Sequence, residues 1–159
     1  MIDTSEHLYT SVSFELSKTI TTRYSTSFSM GVSMLDKKYQ DAIYGIYGFV
    51  RVADEIVDTF KNSNKEKLFN EFRTQTYQAI EEGISTNPIL HSFQKVVNQY
   101  RISKTHIDAF LNSMQMDLYY SSHDRDRYDQ YIFGSAEAVG LMCLKVFVDG
   151  NQEHYDKLE

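Results

Sequence analysis

Apolar residues return along this chain every three or four positions rather than every second one, which is the spacing of helix faces. The pattern predicts helices over residues 5–32, 37–60, 65–83, 88–101, 104–122 and 126–149. The stretches between them, KNSNK (61–65), STNP (85–88), RIS (101–103) and HDRD (123–126), are short and polar. Asn87–Pro88 and Ser103 have the chemistry of helix starts. Their side chains can accept from the first free N–H groups, and proline lacks an N–H where none is needed. One proline and seven glycines leave little punctuation for hairpins, so the fold class is all-α. After residue 149, DGNQEHYDKLE opens a further helix and stops. Residues 1–159 are therefore expected to be the N-terminal part of a single longer domain.

The second helix carries the first chemical signal. At 100° per residue, Tyr39, Ala42, Ile43, Ile46, Phe49, Val50, Ala53, Val57 and Phe60 form one apolar stripe. Tyr47, Arg51, Asp54 and Asp58 lie together roughly 80–140° from its centre, with Glu55 pointing further out. Two aspartates four residues apart repel at a cost of about 0.2–0.5 kcal/mol, and Asp is a poor interior helix former. A divalent cation would reverse that sign, because hard cations seek carboxylate oxygens. Without one, the same residues make a solvated acidic face partly balanced by Arg51. Spacing alone leaves both readings open.

Composition narrows the class. The chain is 42% hydrophobic and 24% charged, too apolar for disorder. A formal charge of −6 and the absence of any Lys/Arg cluster argue against a nucleic-acid partner. The single cysteine, Cys143, excludes an internal disulfide framework and sits in an apolar run as a core residue would. The N-terminus has no signal core. The longest apolar stretch, AVGLMCLKVFV, is too short to span a bilayer and contains Lys145. The expected location is cytoplasmic, with membrane contact peripheral at most. His7, His91, His106, His123 and His154 show no metal-ligand or hydrolase spacing.

Four blocks, in order, resemble the squalene/phytoene synthase family. YSTSFSMGVSML (24–35) is similar to its H/Y-S-x-S-F element, and AIYGIYGFVRVADEIVD (42–58) to its Y-x-x-x-R-x-x-D-x-x-x-D helix. MQMDLYY (114–120) resembles its M-x-M-D helix, and YIFGSAEAVGLMCLKVF (131–147) its Y-C-x-x-V-A-G-x-V-G helix. The resemblance implies an all-α prenyltransferase of the isoprenoid synthase fold. Such enzymes condense two allylic diphosphates head-to-head through a cyclopropyl diphosphate.

By this resemblance Asp54 and Asp58 are the first aspartate-rich motif and would hold Mg²⁺. Arg51 would contact diphosphate, for which its planar donor fork is suited. Ser25 and Ser27 would face the diphosphate, and Phe28 the prenyl chain; outside the resemblance the serines read as helix-surface residues. Tyr47 either hydrogen-bonds near the diphosphate or is a core-edge tyrosine. Asp117, about 60° from the stripe of Ile107, Phe110, Leu111, Met114 and Leu118, is either cavity-facing or structural. Tyr131 is a candidate active-site hydroxyl, and Val139 and Gly140 match positions lining the prenyl cavity. Helix 131–147, apolar on nearly every side, reads as a buried central helix.

The departures also matter. Glu55 stands where the motif often has Asp, and SAEAVG puts Ser135 and Glu137 at positions usually apolar or small. The second aspartate motif, of the N-x-x-R-D type, does not occur in the 159 residues. The resemblance implies that it lies beyond Glu159 and that the piece alone is inactive. The leading expectation is a phytoene synthase-like part acting on geranylgeranyl diphosphate in carotenoid biosynthesis. The alternatives are a squalene or dehydrosqualene synthase using farnesyl diphosphate, and a non-catalytic helical relative. Exposed apolar helix faces would let the piece self-associate.

Overall fold

A computed structural model gives the fold, and it describes residues 3–60, 64–119 and 125–158, with the backbone alone for 119 and 125–133. The described residues form helices α1 (Thr4–Tyr24), α2 (Thr26–Ser33), α3 (Lys37–Asp54), α4 (Lys65–Glu82), α5 (Pro88–Tyr100), α6 (Lys104–Tyr119), α7 (Arg125–Phe147) and α8 (Gln152–Leu158). They contain no strand. None of the described helices is long and apolar enough to cross a membrane.

The proposed starts carry the expected caps. Asn87 Oδ1 accepts from Ile89 N at 3.0 Å and Leu90 N at 3.2 Å, with Pro88 in the first turn of α5. Ser103 Oγ accepts from Thr105 N at 3.1 Å at the start of α6.

Two helices end differently from their predicted spans. The span 5–32 is broken at Ser25, whose backbone is extended (φ −147°, ψ 94°) and whose Oγ accepts from Phe28 N at 3.3 Å. A serine that caps the next helix is a local alternative to continuing the previous one. The span 37–60 leaves α geometry after Asp54: Glu55–Thr59 form a π-turn, closed by Phe60 N donating to Glu55 O at 3.0 Å. Phe60, placed on the core stripe by the periodicity, is 43% exposed because the wider turn rotates it away.

α3 is the central element, packed on α1, α5 and α7. Phe49 is fully buried, stacked on Phe93 at 3.8 Å between centroids and flanked by Phe72 and Phe110 at 5.5 Å. α1 reaches α3 closely because its buried residues are small: Ser13, Ser17 and Thr21. Ser13 and Thr21 donate to the carbonyls of Tyr9 and Ser17, and Ser17 shares a 2.7 Å hydrogen bond with Ser92. A Cβ on Gly48 would lie 2.6 Å from Ser17 Oγ, so that crossing requires glycine. α7 is not the all-round buried helix its composition predicts, since Ala136, Glu137 and Gly140 are exposed. A cavity opens along it.

Candidate active site

The carboxylate row begins where α3 widens. Asp54 ends the α-helical part and Asp58 lies in the π-turn, a feature that recurs at functional sites. Asp54 is half-buried, and burial first, then the charge of Asp58, pushes its carboxyl above the ordinary range against the opposing Arg51 guanidinium. Asp117, on α6, is raised for the same reasons, burial and then Asp58, with Lys65 opposing. Asp58 faces both Asp54 and Asp117 and its charge raises both carboxyls, so this row is short of positive charge.

Arg51 sits at the same end. Its guanidinium lies 3.5 Å from Asp54 Oδ2, pairs with Glu55, and stacks over the Tyr24 ring at 4.4 Å. Its Nε is buried and has no hydrogen-bond partner. Glu55 therefore belongs to the rim of the site instead of pointing away. Hydrogen bonding from Thr59 and Arg51 holds its carboxyl below the usual range despite partial burial. Tyr24, the first residue of the YSTSF block, had no role assigned to it from sequence, and neither had Lys65, which comes from α4 and donates to Val57 O in the π-turn at 2.7 Å.

Asp54 opens onto a cavity of about 730 Å³ between α2, α3, α6 and α7. Its walls include Ser27 and Phe28 from α2, Tyr47 and Val50 from α3, Phe110 and Met114 from α6, and Ser135, Val139, Gly140, Cys143 and Phe147 from α7. Phe28 and Tyr47 pack ring to ring at 3.6 Å, and burial raises the Tyr47 hydroxyl above its ordinary pKa. Cys143 is a cavity-wall residue, its thiol pushed up to about 12 by burial. A Cβ on Gly140 would meet nothing within 4 Å, so this glycine leaves room for a ligand and not for a helix. Glu137 faces outward.

Ser27, Phe28, Tyr47, Asp54, Val139 and Gly140 thus meet on one cavity. Arg51, Asp58 and Asp117 stand at its polar end without lining it. Ser25 does not line the cavity; its hydroxyl oxygen caps α2. The side chain of Tyr131 lies outside the described residues.

The side chains able to hold a hard cation are Asp54 and Asp58. Among the described residues no group of three acidic, histidine or cysteine side chains converges as a closed metal cage would need. Two carboxylates with open coordination positions are the donor set on which Mg²⁺ typically binds phosphorylated ligands.

Comparison with known proteins places this geometry in context. The model of a family described as squalene/phytoene synthase matches residues 21–158. A 4,4'-diapophytoene synthase of Staphylococcus haemolyticus (strain JCSC1435) is 22% identical over 125 residues, 77% of this chain and 44% of that protein. A phytoene synthase of Arthrospira platensis is 25% identical over 135 residues, 84% of this chain and 44% of that protein. A crystal structure of a dehydrosqualene synthase in complex with ligand superposes with a TM-score of 0.74 at 22% identity, covering 86% of this chain and 47% of that one. The chain therefore spans less than half the length of the relatives it matches.

Proposed function

Because the chain belongs to the squalene/phytoene synthase family, we propose that it holds one allylic prenyl diphosphate, head group at Arg51, Asp54 and Asp58 and chain in the cavity. It would do so as part of an enzyme that joins two such diphosphates head-to-head through a cyclopropyl diphosphate. Phytoene from two geranylgeranyl diphosphates is one product of such chemistry. Squalene or dehydrosqualene from farnesyl diphosphate is the other.

One observation carries the reading: a single polar end, built of carboxylates and an arginine, leads into a long, mostly apolar cavity. That is the division of a prenyl diphosphate itself. Mg²⁺ bound at Asp54 and Asp58 would supply neutralisation of charge on the departing diphosphate. Arg51 presents a forked donor, including an Nε without a protein partner, to phosphate oxygens. Tyr47 and Ser27 offer hydroxyls on the cavity wall, and Lys65 holds the π-turn that carries Asp58. Phe28, Val50, Phe110, Met114 and Val139 exclude water from the chain and from any cation developing on it. Such apolar products suit a cytoplasmic protein with peripheral membrane contact.

The test is the double variant Asp54→Asn, Asp58→Asn. Mg²⁺-dependent binding of farnesyl or geranylgeranyl diphosphate should weaken about 100-fold or more while the helical circular dichroism persists. Unchanged calorimetric affinity would refute the assignment.

A further inference from the structure

Lys65 is placed against the needs of its own helix. It is the first residue of α4, where a cation opposes the helix macrodipole. The same position suits a neighbouring helix end. Its Nζ donates to Val57 O at 2.7 Å, inside the π-turn Glu55–Thr59 that follows α3. Carbonyls at a helix C-terminus lack partners within the helix, and a lysine there is favoured. The contact is part-buried. Among the described residues, the ammonium bonds to this carbonyl and to no carboxylate. Its charge nevertheless opposes the upward shift of the Asp117 carboxyl.

What the bond fixes follows from peptide geometry. The Val57 carbonyl and the Asp58 N–H lie in one plane. Holding the carbonyl therefore sets the backbone from which the Asp58 carboxylate projects. Asp54 is still α-helical, so the direction in which Asp58 faces it depends on the turn between them. That turn packs on α4 and α6 as well as on α3.

We propose that Lys65 is a positioning residue for Asp58: by holding the π-turn it keeps the Asp58 carboxylate facing Asp54, where the two can serve one cation. This rests on the prenyl diphosphate reading above and adds to it a residue of α4, outside the α3 motif. Two effects of the lysine on a bound cation have opposite signs. As a charge it repels Mg²⁺, so its loss would tighten binding. As a hold on the turn it presents a ligand, so its loss would weaken binding.

The experiment reads that sign. Inorganic diphosphate is titrated calorimetrically with Mg²⁺ into the 159-residue chain and its variants. Lys65→Met should weaken binding about tenfold, the lower end of what partners orienting metal ligands contribute. Lys65→Arg, which keeps a donor of similar reach, should bind as the wild type does. Lys65→Gln, an uncharged and shorter donor, should fall between the two. Lys67→Met is the control, since that side chain is 73% exposed and pairs with Glu71 at 3.9 Å; its affinity should not change.

Lys65 is half-buried at a helix start, so methionine in its place empties no deep core. Urea unfolding run beside the titrations separates stability from binding. A lowered urea midpoint with unchanged affinity would reduce the contact to a structural one and overturn the proposal. Tighter binding by Lys65→Met and Lys65→Gln would overturn it too, as would an equal loss in Lys67→Met. In each of those cases the wild type still binds diphosphate, and the head-group assignment stands. A wild type that binds no diphosphate with Mg²⁺ would overturn both.

Discussion

Asp54 and Asp58 repel each other, and Asp54 is half-buried, so burial and the Asp58 charge together raise its carboxyl. In a protein without a bound cation, ionising this row opposes folding. Asp58→Asn keeps an amide oxygen for hydrogen bonding and removes the charge facing both Asp54 and Asp117. It should stabilise the cation-free protein at neutral pH by about 0.3–0.5 kcal/mol, roughly 1 °C in Tm. Mg²⁺ with inorganic diphosphate should raise the Tm of the wild type and not of the variant. Scanning fluorimetry reads both, and a variant less stable than the cation-free wild type would contradict this account. At this scale helical spacing alone placed Tyr47, Arg51, Asp54 and Asp58 on one flank of α3. Glu55 is drawn onto the rim by its i,i+4 pairing with Arg51, a side-chain contact that angular spacing does not report. Tyr24 and Lys65 could not be read from the α3 pattern, since they arrive from other elements.

Between elements, the least apparent connection joins α1 to the α4–α5 turn through His91. This buried imidazole accepts from Ser85 N–H at Nδ1 (3.3 Å), so its Nε2 carries the hydrogen and donates to Thr10 Oγ1 at 2.9 Å. Tyr9 lies against its ring at 4.5 Å and donates its own hydroxyl to Ser85 O at 2.6 Å. Burial holds the His91 pKa below 6.5, with Glu6 opposing and Lys95 reinforcing the shift. The unfolded chain therefore binds the proton first as pH falls. The contribution of His91 is fully present above about pH 6.5 and is lost as pH drops through its folded pKa. His91→Gln should flatten the fall in stability below pH 6.5, measured by urea unfolding across pH 5–8. An identical slope in wild type and variant would exclude His91 as its source.

α1 also shows where periodicity misleads. Leu8, Val12 and Leu16 are 64%, 40% and 42% exposed, while Ser13, Ser17 and Thr21 are buried. Close approach to Gly45 and Gly48 selects small hydroxyl residues that bond within their own helix or to Ser92, so size decides the buried face instead of polarity. Helix identity and most boundaries were legible because caps and breaks are local. The break at Ser25 was not, since the serine's choice between helix interior and cap depends on where α2 must pack.

For the whole molecule, the distribution of charge around the cavity sets what the 159 residues can do by themselves. Head-to-head condensation must release diphosphate from two substrates, and each departing group needs its developing charge neutralised. Among the described residues the polar end offers Arg51 and the carboxylates Asp54, Asp58 and Asp117, with Asp58 facing the other two. The remaining cavity wall is largely apolar, with Ser27, Tyr47 and Ser135 as its uncharged polar members. On the proposed reading, one such end seats one diphosphate. It does not provide a second set of donors across the cavity, and the matched relatives are more than twice as long as the segment this chain aligns with. The expected outcome is binding without turnover: with Mg²⁺ and either farnesyl or geranylgeranyl diphosphate, the isolated 159 residues bind substrate but form no C30 or C40 product. A radiolabelled product assay run beside the calorimetric titration separates the two events. Mg²⁺-dependent product formation at multiple turnovers would show that this one polar end supports both ionisations, and would overturn the division of labour argued here.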